Sequence, residues 1–187
     1  MKIFISLFIV SLILYTQVLA LEIITNGDFE EPLSTGWQES TSGSNITINR
    51  ATSYDPDPDY EAYVGKSTGS GYARLYQIVN IPATDLDFSV NAKLYAYDNH
   101  TSAWAGGAVV ISYLDEYSSL LGETYICYRS TQCPWTNSST SHLIEASDSL
   151  WHNYGFNIEN ELTNLSGVNP SDIKKIQVSL FNQIYHC

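Results

Sequence analysis

Aromatic side chains beside hydrogen-bonding side chains are the residues of this chain whose types and spacing suit a chemical task. The sequence contains 14 Tyr and 4 Trp among its 187 residues. The C–H faces of a pyranose ring stack on Trp or Tyr, while Asn, Gln and Arg bond its hydroxyls. We therefore predict a surface that binds saccharide. Its candidate ligand-binding residues are Trp104, Trp135, Tyr95, Tyr97, Asn91, Arg74, Tyr76 and Gln177.

Motifs for bond-breaking chemistry do not single out a site. The sequence has no His-Glu-x-x-His zinc motif and no phosphate-binding glycine loop, and its four histidines are scattered. A glycosidase needs only two carboxylates, but 20 acidic residues make every pair equally eligible. We predict that the protein is not an enzyme. The alternative is a lyase or glycosidase in which the β-structure itself is catalytic.

Period-two alternation predicts the strands that position these side chains. In Phe88–Tyr97 the apolar residues share one face, and the other face carries Asn91, Lys93, Tyr95 and Tyr97. The runs 72–81 and 173–181 alternate in the same way. They place Arg74 and Tyr76, and Gln177 and Phe181, on polar faces that join the first one if the strands lie alongside. The alternative is an exposed sheet surface where Tyr is favoured by β-propensity alone.

The four tryptophans divide into two groups. Trp37 and Trp151 are predicted to lie in the core. Trp104 and Trp135 stand in loop-like contexts, Ala-Trp-Ala-Gly-Gly and Pro-Trp-Thr, where an exposed indole ring is costly unless it serves a ligand. The alternative is that each ring covers a neighbouring strand.

A secretory leader is predicted over residues 1–20. Lys2 precedes the apolar run Ile3–Leu14, and Val18-Leu19-Ala20 supplies small residues before a cleavage site. An uncleaved membrane anchor is the alternative, but the apolar run is short for a bilayer. We predict a secreted protein without a membrane segment after cleavage. The formal charge of −12 also argues against a nucleic-acid partner, because phosphates need a basic field.

The three cysteines fit an oxidising compartment. Cys127 and Cys133 are separated by five residues and are predicted to form a loop disulfide. Cys187, the unpaired last residue, indicates an intermolecular bond or a missing continuation. Four Asn-x-Ser/Thr sequons give weak support for glycosylation; they begin at Asn45, Asn99, Asn137 and Asn164.

The N-terminal motif carries a family resemblance. The run Asn26-Gly-Asp-Phe-Glu-Glu-Pro32, followed by Gly36-Trp37, resembles the opening of jelly-roll carbohydrate-binding modules with the galactose-binding-like fold. Here we expect the Asn26-Gly27 turn to send Phe29 and Glu30 to opposite faces of a short extended segment. Later segments that extend the resemblance are 75–79, 110–115 followed by 121–122, Trp151, and 173–176.

The resemblance implies an antiparallel β-sandwich (jelly roll) as a single domain over residues 21–187. It also implies a structural calcium, held in part by Glu30; the alternative is a solvated Glu at a turn. A second acidic run, Asp55–Asp59, is interpreted as a solvated loop. Modules of this type end with an acidic strand that does not occur before Cys187, so we predict a C-terminally incomplete domain.

Together these patterns predict a secreted, non-catalytic module that binds a polysaccharide or glycan and carries a structural calcium. The rival is an extracellular or cell-surface domain that acts through protein contacts. Cys187 and an unfilled sheet edge are the features that favour the rival.

Overall fold

The structure is a computed structural model that describes residues 22–55, 58–98 and 102–186. The predicted leader, the centre of the acidic run, the Asn99 sequon and Cys187 lie outside the described residues. Ten strands make up about half of the described chain. They are β1 (Gln38–Ser42), β2 (Ile46–Ala51), β3 (Glu61–Lys66), β4 (Gly71–Asn80), β5 (Asp87–Lys93), β6 (Trp104–Leu114), β7 (Leu120–Arg129), β8 (Ser141–Glu145), β9 (Trp151–Asn157) and β10 (Lys175–Tyr185).

Helical structure is confined to short pieces. They are the helix α1 (Ile158–Glu161) and two 3₁₀ turns, Leu162–Asn164 and Pro170–Asp172. Within the described ranges, no helix has the length and apolar character needed to span a bilayer.

The strands form two layers. One layer is a six-stranded sheet in the order β1-β4-β10-β6-β7-β8, and the other consists of the pairs β2-β3 and β5-β9. The predicted all-β sandwich is therefore confirmed. One pair departs from the antiparallel expectation, because β7 and β8 run parallel and make the large sheet mixed. Parallel neighbours need a connection that crosses back over the sheet, and this crossing shapes the site described below.

The main core lies between the layers. Leu75, Val109, Ile111 and Ile126 point from the six-stranded sheet toward Ala92 of the second layer, and all are buried. We call this side of the six-stranded sheet its inner face and the opposite side its outer face. Burying such side chains supplies about 25 cal/mol per Å² of apolar area, which is the main free energy holding the layers together.

Alternation fixes which residues face the core. In β4 the odd-numbered residues 73–79 point inward, and in β10 the even-numbered residues do so, as predicted. Gln77 is a buried polar residue on this inner face. Its side chain accepts a hydrogen bond from the Thr25 N–H (2.8 Å) and donates to the Thr25 carbonyl (2.9 Å), so its burial leaves no amide group unsatisfied.

The opening motif is a loop organised around Asn26. The Asn26 side chain accepts from the Glu31 N–H and donates to the Glu31 carbonyl, while the Trp37 indole N–H donates to the Asn26 carbonyl at 2.9 Å. Phe29 has a positive φ of 58°, so the expected extended segment is wrong. Phe29 nevertheless packs against the core and contacts Trp37, whereas Glu30 is exposed.

Gly36 is required where this loop meets the sheet. Its φ is +88°, and a Cβ atom there would lie 2.9 Å from the Gln77 side-chain nitrogen and from Thr25. A residue with a side chain would therefore be strained in its backbone and crowded by its neighbours.

Candidate functional site

The outer face of the six-stranded sheet carries a continuous group of aromatic rings. The rings come from β4, β6, β7, β10 and the loop between β7 and β8. We call the group the aromatic platform; its members are Tyr72, Trp104, Tyr125, Trp135, Phe181 and Tyr185.

Trp135 lies at the centre of the aromatic platform. Its ring centroid is 5.2 Å from that of Tyr125, 6.0 Å from Phe181 and 6.3 Å from Trp104. Tyr185 stacks on Trp104 at 6.1 Å and is 46% exposed, so the platform continues to the surface at this end. Trp135 lies nearly parallel to Phe181, with 25° between the ring planes, and meets Trp104 edge to face at 67°. The platform therefore presents ring faces in more than one orientation, and a ring face is the apolar surface on which a sugar stacks.

The parallel β7–β8 pairing explains how Trp135 reaches this position. Residues 130–140, which we call the Trp135 loop, must cross back over the outer face between the two strands. Gly106 of β6 makes room for the ring, since a Cβ atom there would lie 2.5 Å from the Trp135 indole. The Trp135 indole can therefore pack directly against the backbone of Gly106.

Several hydrogen bonds fix the Trp135 loop to the sheet. Ser130 exchanges two bonds with Ala105, one from its N–H (2.9 Å) and one to its hydroxyl (3.0 Å). The Arg129 guanidinium donates to the Cys133 carbonyl (3.2 Å) and forms an ion pair with Glu145 (2.6 Å). These contacts hold Trp135 in position before a ligand binds. Less conformational entropy is therefore lost when the ligand binds.

Polar side chains stand beside the rings. Arg74 lies over the Phe181 ring, with 4.6 Å from the guanidinium carbon to the ring centroid. The Glu123 carboxylate accepts hydrogen bonds from the Ser112 hydroxyl (2.8 Å) and the Tyr125 hydroxyl (2.7 Å). Burial, and then the Glu123 carboxylate, raise the pKa of Tyr125, so its hydroxyl stays protonated as a donor.

A cleft of about 370 Å³ opens among these groups. Its lining is formed by Tyr72, Arg74, Tyr125, Trp135, Phe181 and Gln183. It combines ring faces with a cation, an amide and hydroxyl groups, the mixture that a saccharide site needs.

Five of the eight predicted ligand-binding residues share one face of the large sheet, and three of them, Trp104, Trp135 and Arg74, belong to the aromatic platform or the cleft. Trp104, Trp135, Arg74, Tyr76 and Gln177 all lie on or above the outer face of the large sheet. Trp104 begins β6, so its predicted loop position is wrong, whereas Trp135 does lie in a loop.

The other three residues lie elsewhere. Asn91 is on β5, which pairs with β9 in the second layer, and Tyr95 and Tyr97 follow that strand. The predicted joint surface with Arg74 is therefore wrong, because β5 does not lie beside β4 or β10. Tyr95 and Tyr97 are 61% and 65% exposed, and their binding role stays a prediction.

Sequence reasoning missed four residues of the cleft and platform. They are Tyr72, Tyr125, Gln183 and Tyr185. Extending the alternation of β10 beyond Phe181 gives Gln183 and Tyr185, and the same pattern in β7 gives Tyr125. Tyr72 shares the face of Arg74 and Tyr76, so the signal was present for all four.

The two described cysteines are free thiols, which corrects the predicted loop disulfide. Cys127 points outward from β7 into the cluster beneath Trp135, and Cys133 is buried in the Trp135 loop. Burial raises the pKa of Cys127 to about 12 and also raises that of Cys133. Because the thiolate is the reactive form, both groups are held in an unreactive state.

The surroundings of Glu30 do not fit a calcium site. The Glu30 carboxylate accepts from the Tyr60 N–H (2.9 Å), and the Arg50 guanidinium donates to the carbonyls of Phe29 (2.8 Å) and Glu30 (3.0 Å). Carbonyl oxygens of this kind are calcium ligands, but here a cationic side chain already uses them. Across the described ranges, no group of three or more His, Cys, Asp and Glu side chains is arranged to hold a metal. The structural calcium stays an untested prediction, and the Arg50 contacts argue against it at Glu30.

The chain also contains one sequence pattern of serine hydrolases. Gly65-Lys66-Ser67-Thr68-Gly69 matches the Gly-x-Ser-x-Gly pattern of serine hydrolases, whose serine sits on a strand-to-helix elbow. Here the segment joins β3 to β4, and the buried Lys66 ammonium donates to the carbonyls of Ser44 and Thr68. The segment therefore lacks the strand-to-helix turn of a serine hydrolase. Ser67 lines a second cleft, whose lining also includes His186.

Comparisons with known proteins address the fold. No protein-family profile matches the chain, and no curated protein matches it either. Among solved structures, it is similar to the enzymatically active domain of tailspike protein 4 from bacteriophage CBA120, with 13% identity over 86% of this chain and a TM-score of 0.50.

A second solved structure is the Clostridium thermocellum N-terminal endo-1,4-β-D-xylanase 10B, its CBM22-1 and GH10 modules complexed with xylohexaose. It matches at 10% identity over 90% of this chain with a TM-score of 0.38. The chain spans 19% and 29% of the lengths of these two proteins. At these identities the tailspike likeness shows the sheet-rich fold alone.

Proposed function

We propose that this protein is a secreted, non-catalytic carbohydrate-binding module whose ligand lies along the outer face of the six-stranded sheet. The observation that carries the proposal is the aromatic platform with the polar cleft beside it. Tyr185, Trp104 and Trp135 follow one another across the face at centroid separations of 6.1 and 6.3 Å. Rings spread along one face offer contacts to successive units of a chain, with Tyr185 and Trp104 stacked at 20° and Trp104 and Trp135 edge to face at 67°.

The chemistry of the cleft supports binding without cleavage. Its lining residues include no carboxylate, and Glu123 nearby is engaged by two hydroxyl groups. A glycosidase needs two carboxyl groups that flank the scissile bond. The arrangement therefore favours holding a saccharide over hydrolysing it.

Affinity electrophoresis and titration calorimetry against a panel of β-glucans, xylans, mannans and galactosides test the proposal. We expect at least one polymer to bind, and Trp135→Ala to weaken that binding about tenfold or more, as loss of a central aromatic anchor does. Tyr117→Ala is the matched control, because Tyr117 is 80% exposed in the β6–β7 turn, at the opposite end of β6 from Trp104.

Three results would contradict the proposal. The first is absence of binding to every polymer, which would favour the rival role in protein contacts. The second is equal weakening by Trp135→Ala and Tyr117→Ala. The third is release of reducing ends from any polymer, which would show that the sandwich is catalytic.

A further inference from the structure

Arg74 is a cation without an anionic partner on the outer face. The other two cations that point outward are already engaged: Arg129 forms its ion pair with Glu145, and Lys175 donates to the Glu116 carbonyl and the Ser118 hydroxyl, both at 2.9 Å. Among the described residues, no carboxylate lies within ion-pair distance of Arg74. Its Nε atom is buried and has no hydrogen-bond acceptor.

A buried N–H group without an acceptor is unfavourable, because it has lost its hydrogen bond to water and gained none in the fold. Because the Nε atom is buried, a ligand oxygen would reach Arg74, which lines the cleft, through the terminal guanidinium nitrogens. The Phe181 ring beneath the guanidinium limits its orientations. Arg74 is thus held in place before any ligand arrives.

The geometry of a guanidinium selects among oxygen acceptors. Its planar fork of N–H donors matches the two oxygens of a carboxylate, and charged hydrogen bonds of this type are about twice as strong as neutral ones. Trp135 and Tyr125 supply ring surfaces in the same cleft, and Gln183 supplies an amide. A ring-bearing carboxylate would contact all of these groups together.

We propose that this cleft takes a uronic acid residue of a polysaccharide, with its carboxylate on Arg74 and its sugar ring against Trp135. This inference rests on the proposed carbohydrate-binding function and names the substrate class of that site. Non-specific attraction does not explain such binding, because the chain carries a formal charge of −12 and repels polyanions as a whole.

The test compares one polymer in two chemical states. Glucuronoxylan is titrated against the protein before and after its carboxyl groups are reduced to primary alcohols. We expect the wild type to bind the acidic form at least about tenfold more tightly, the size of one charged hydrogen-bond pair. Arg74→Gln should bind the two forms with the same affinity as each other, whatever its overall affinity, and Arg74→Lys should retain part of the difference.

Equal affinity of the wild type for both forms would overturn the uronate inference and leave the carbohydrate-binding proposal standing. Absence of binding to either form and to the neutral panel would overturn both. If Arg74→Gln does not fold, competition on the wild type decides: free D-glucuronate should displace the polymer at a lower concentration than D-glucose. Equal potency of the two sugars would contradict the inference.

Discussion

At the residue scale, Gly106 determines where the Trp135 ring lies. The indole ring lies on the glycine because no Cβ atom separates them, and this contact places the ring among Tyr125, Phe181 and Trp104. If a larger residue occupied position 106, the Trp135 ring would lie farther from the sheet. The aromatic platform proposed to bind sugar therefore depends on a glycine that lies beneath Trp135.

Gly106→Ala should weaken glycan binding without removing any ring. The added methyl group lies 2.5 Å from the Trp135 ring position, so the indole must move outward. We expect about a tenfold loss of affinity and a lower free energy of unfolding, by about 1–3 kcal/mol, as is usual for overpacking. Calorimetry and urea unfolding measure the two effects.

Gly155→Ala is the matched control for this change. Gly155 is an exposed strand residue of β9 where a Cβ atom would meet only an ordinary contact of 3.4 Å with the Phe88 carbonyl. If affinity falls equally in both variants, or stays unchanged in Gly106→Ala, the role assigned to Gly106 in positioning Trp135 is contradicted.

At the scale of elements, the opening loop is held by side chains instead of by strand pairing. Asn26 bonds the main chain on two sides, and Arg50 of β2 donates to the carbonyls of Phe29 and Glu30 while lying 3.9 Å from the Tyr60 ring centroid. A positive side chain thus lies against Glu30, the residue that the family resemblance implies as a calcium ligand.

Arg50→Gln should therefore destabilise the protein, whereas calcium should not stabilise the wild type. We expect the free energy of unfolding to fall by about 1–2 kcal/mol in the variant, through lost charged hydrogen bonds. For the wild type we expect the same Tm in excess calcium chloride and in EDTA. The measurement is thermal unfolding under both conditions. A calcium-dependent rise in the wild-type Tm would support the calcium prediction and contradict this interpretation.

At the scale of the whole molecule, one buried carboxylate links the two layers. Glu161 of α1, which follows β9, accepts hydrogen bonds from the Thr124 hydroxyl of β7 (3.0 Å) and the Asn164 amide (3.1 Å), and it pairs with His142 of β8. Tyr113 extends the network through Thr124 at 3.1 Å. Such a network ties the helix to the inner face of the large sheet.

Glu161→Ala should lower the free energy of unfolding by about 3 kcal/mol, because it leaves the Thr124 and His142 groups without their acceptor. Glu159→Ala, two residues earlier on the exposed side of α1, should change it by less than about 0.5 kcal/mol. Urea unfolding of both variants gives the comparison. Equal stability of the two would show that the network contributes nothing to the sandwich.

The sequence by itself determined the β-class and, in the runs that became β4, β5 and β10, the face on which each residue lies. Strand side chains alternate with a period of two, so local pattern alone separates Leu75 and Val178 from Arg74 and Gln177. It also identified Trp135 and Arg74 as candidates, since an indole in a loop and a cation on a strand are visible without a fold.

Only the tertiary structure decided which strands are neighbours. It placed β5 in the second layer, which separates Tyr95 and Tyr97 from Arg74, and it made β7 and β8 parallel, which carries Trp135 across Gly106. Strand order depends on contacts between residues far apart in the chain, and the local pattern does not contain them. For that reason the candidate residues came from the sequence, but the surface that they form came from the fold.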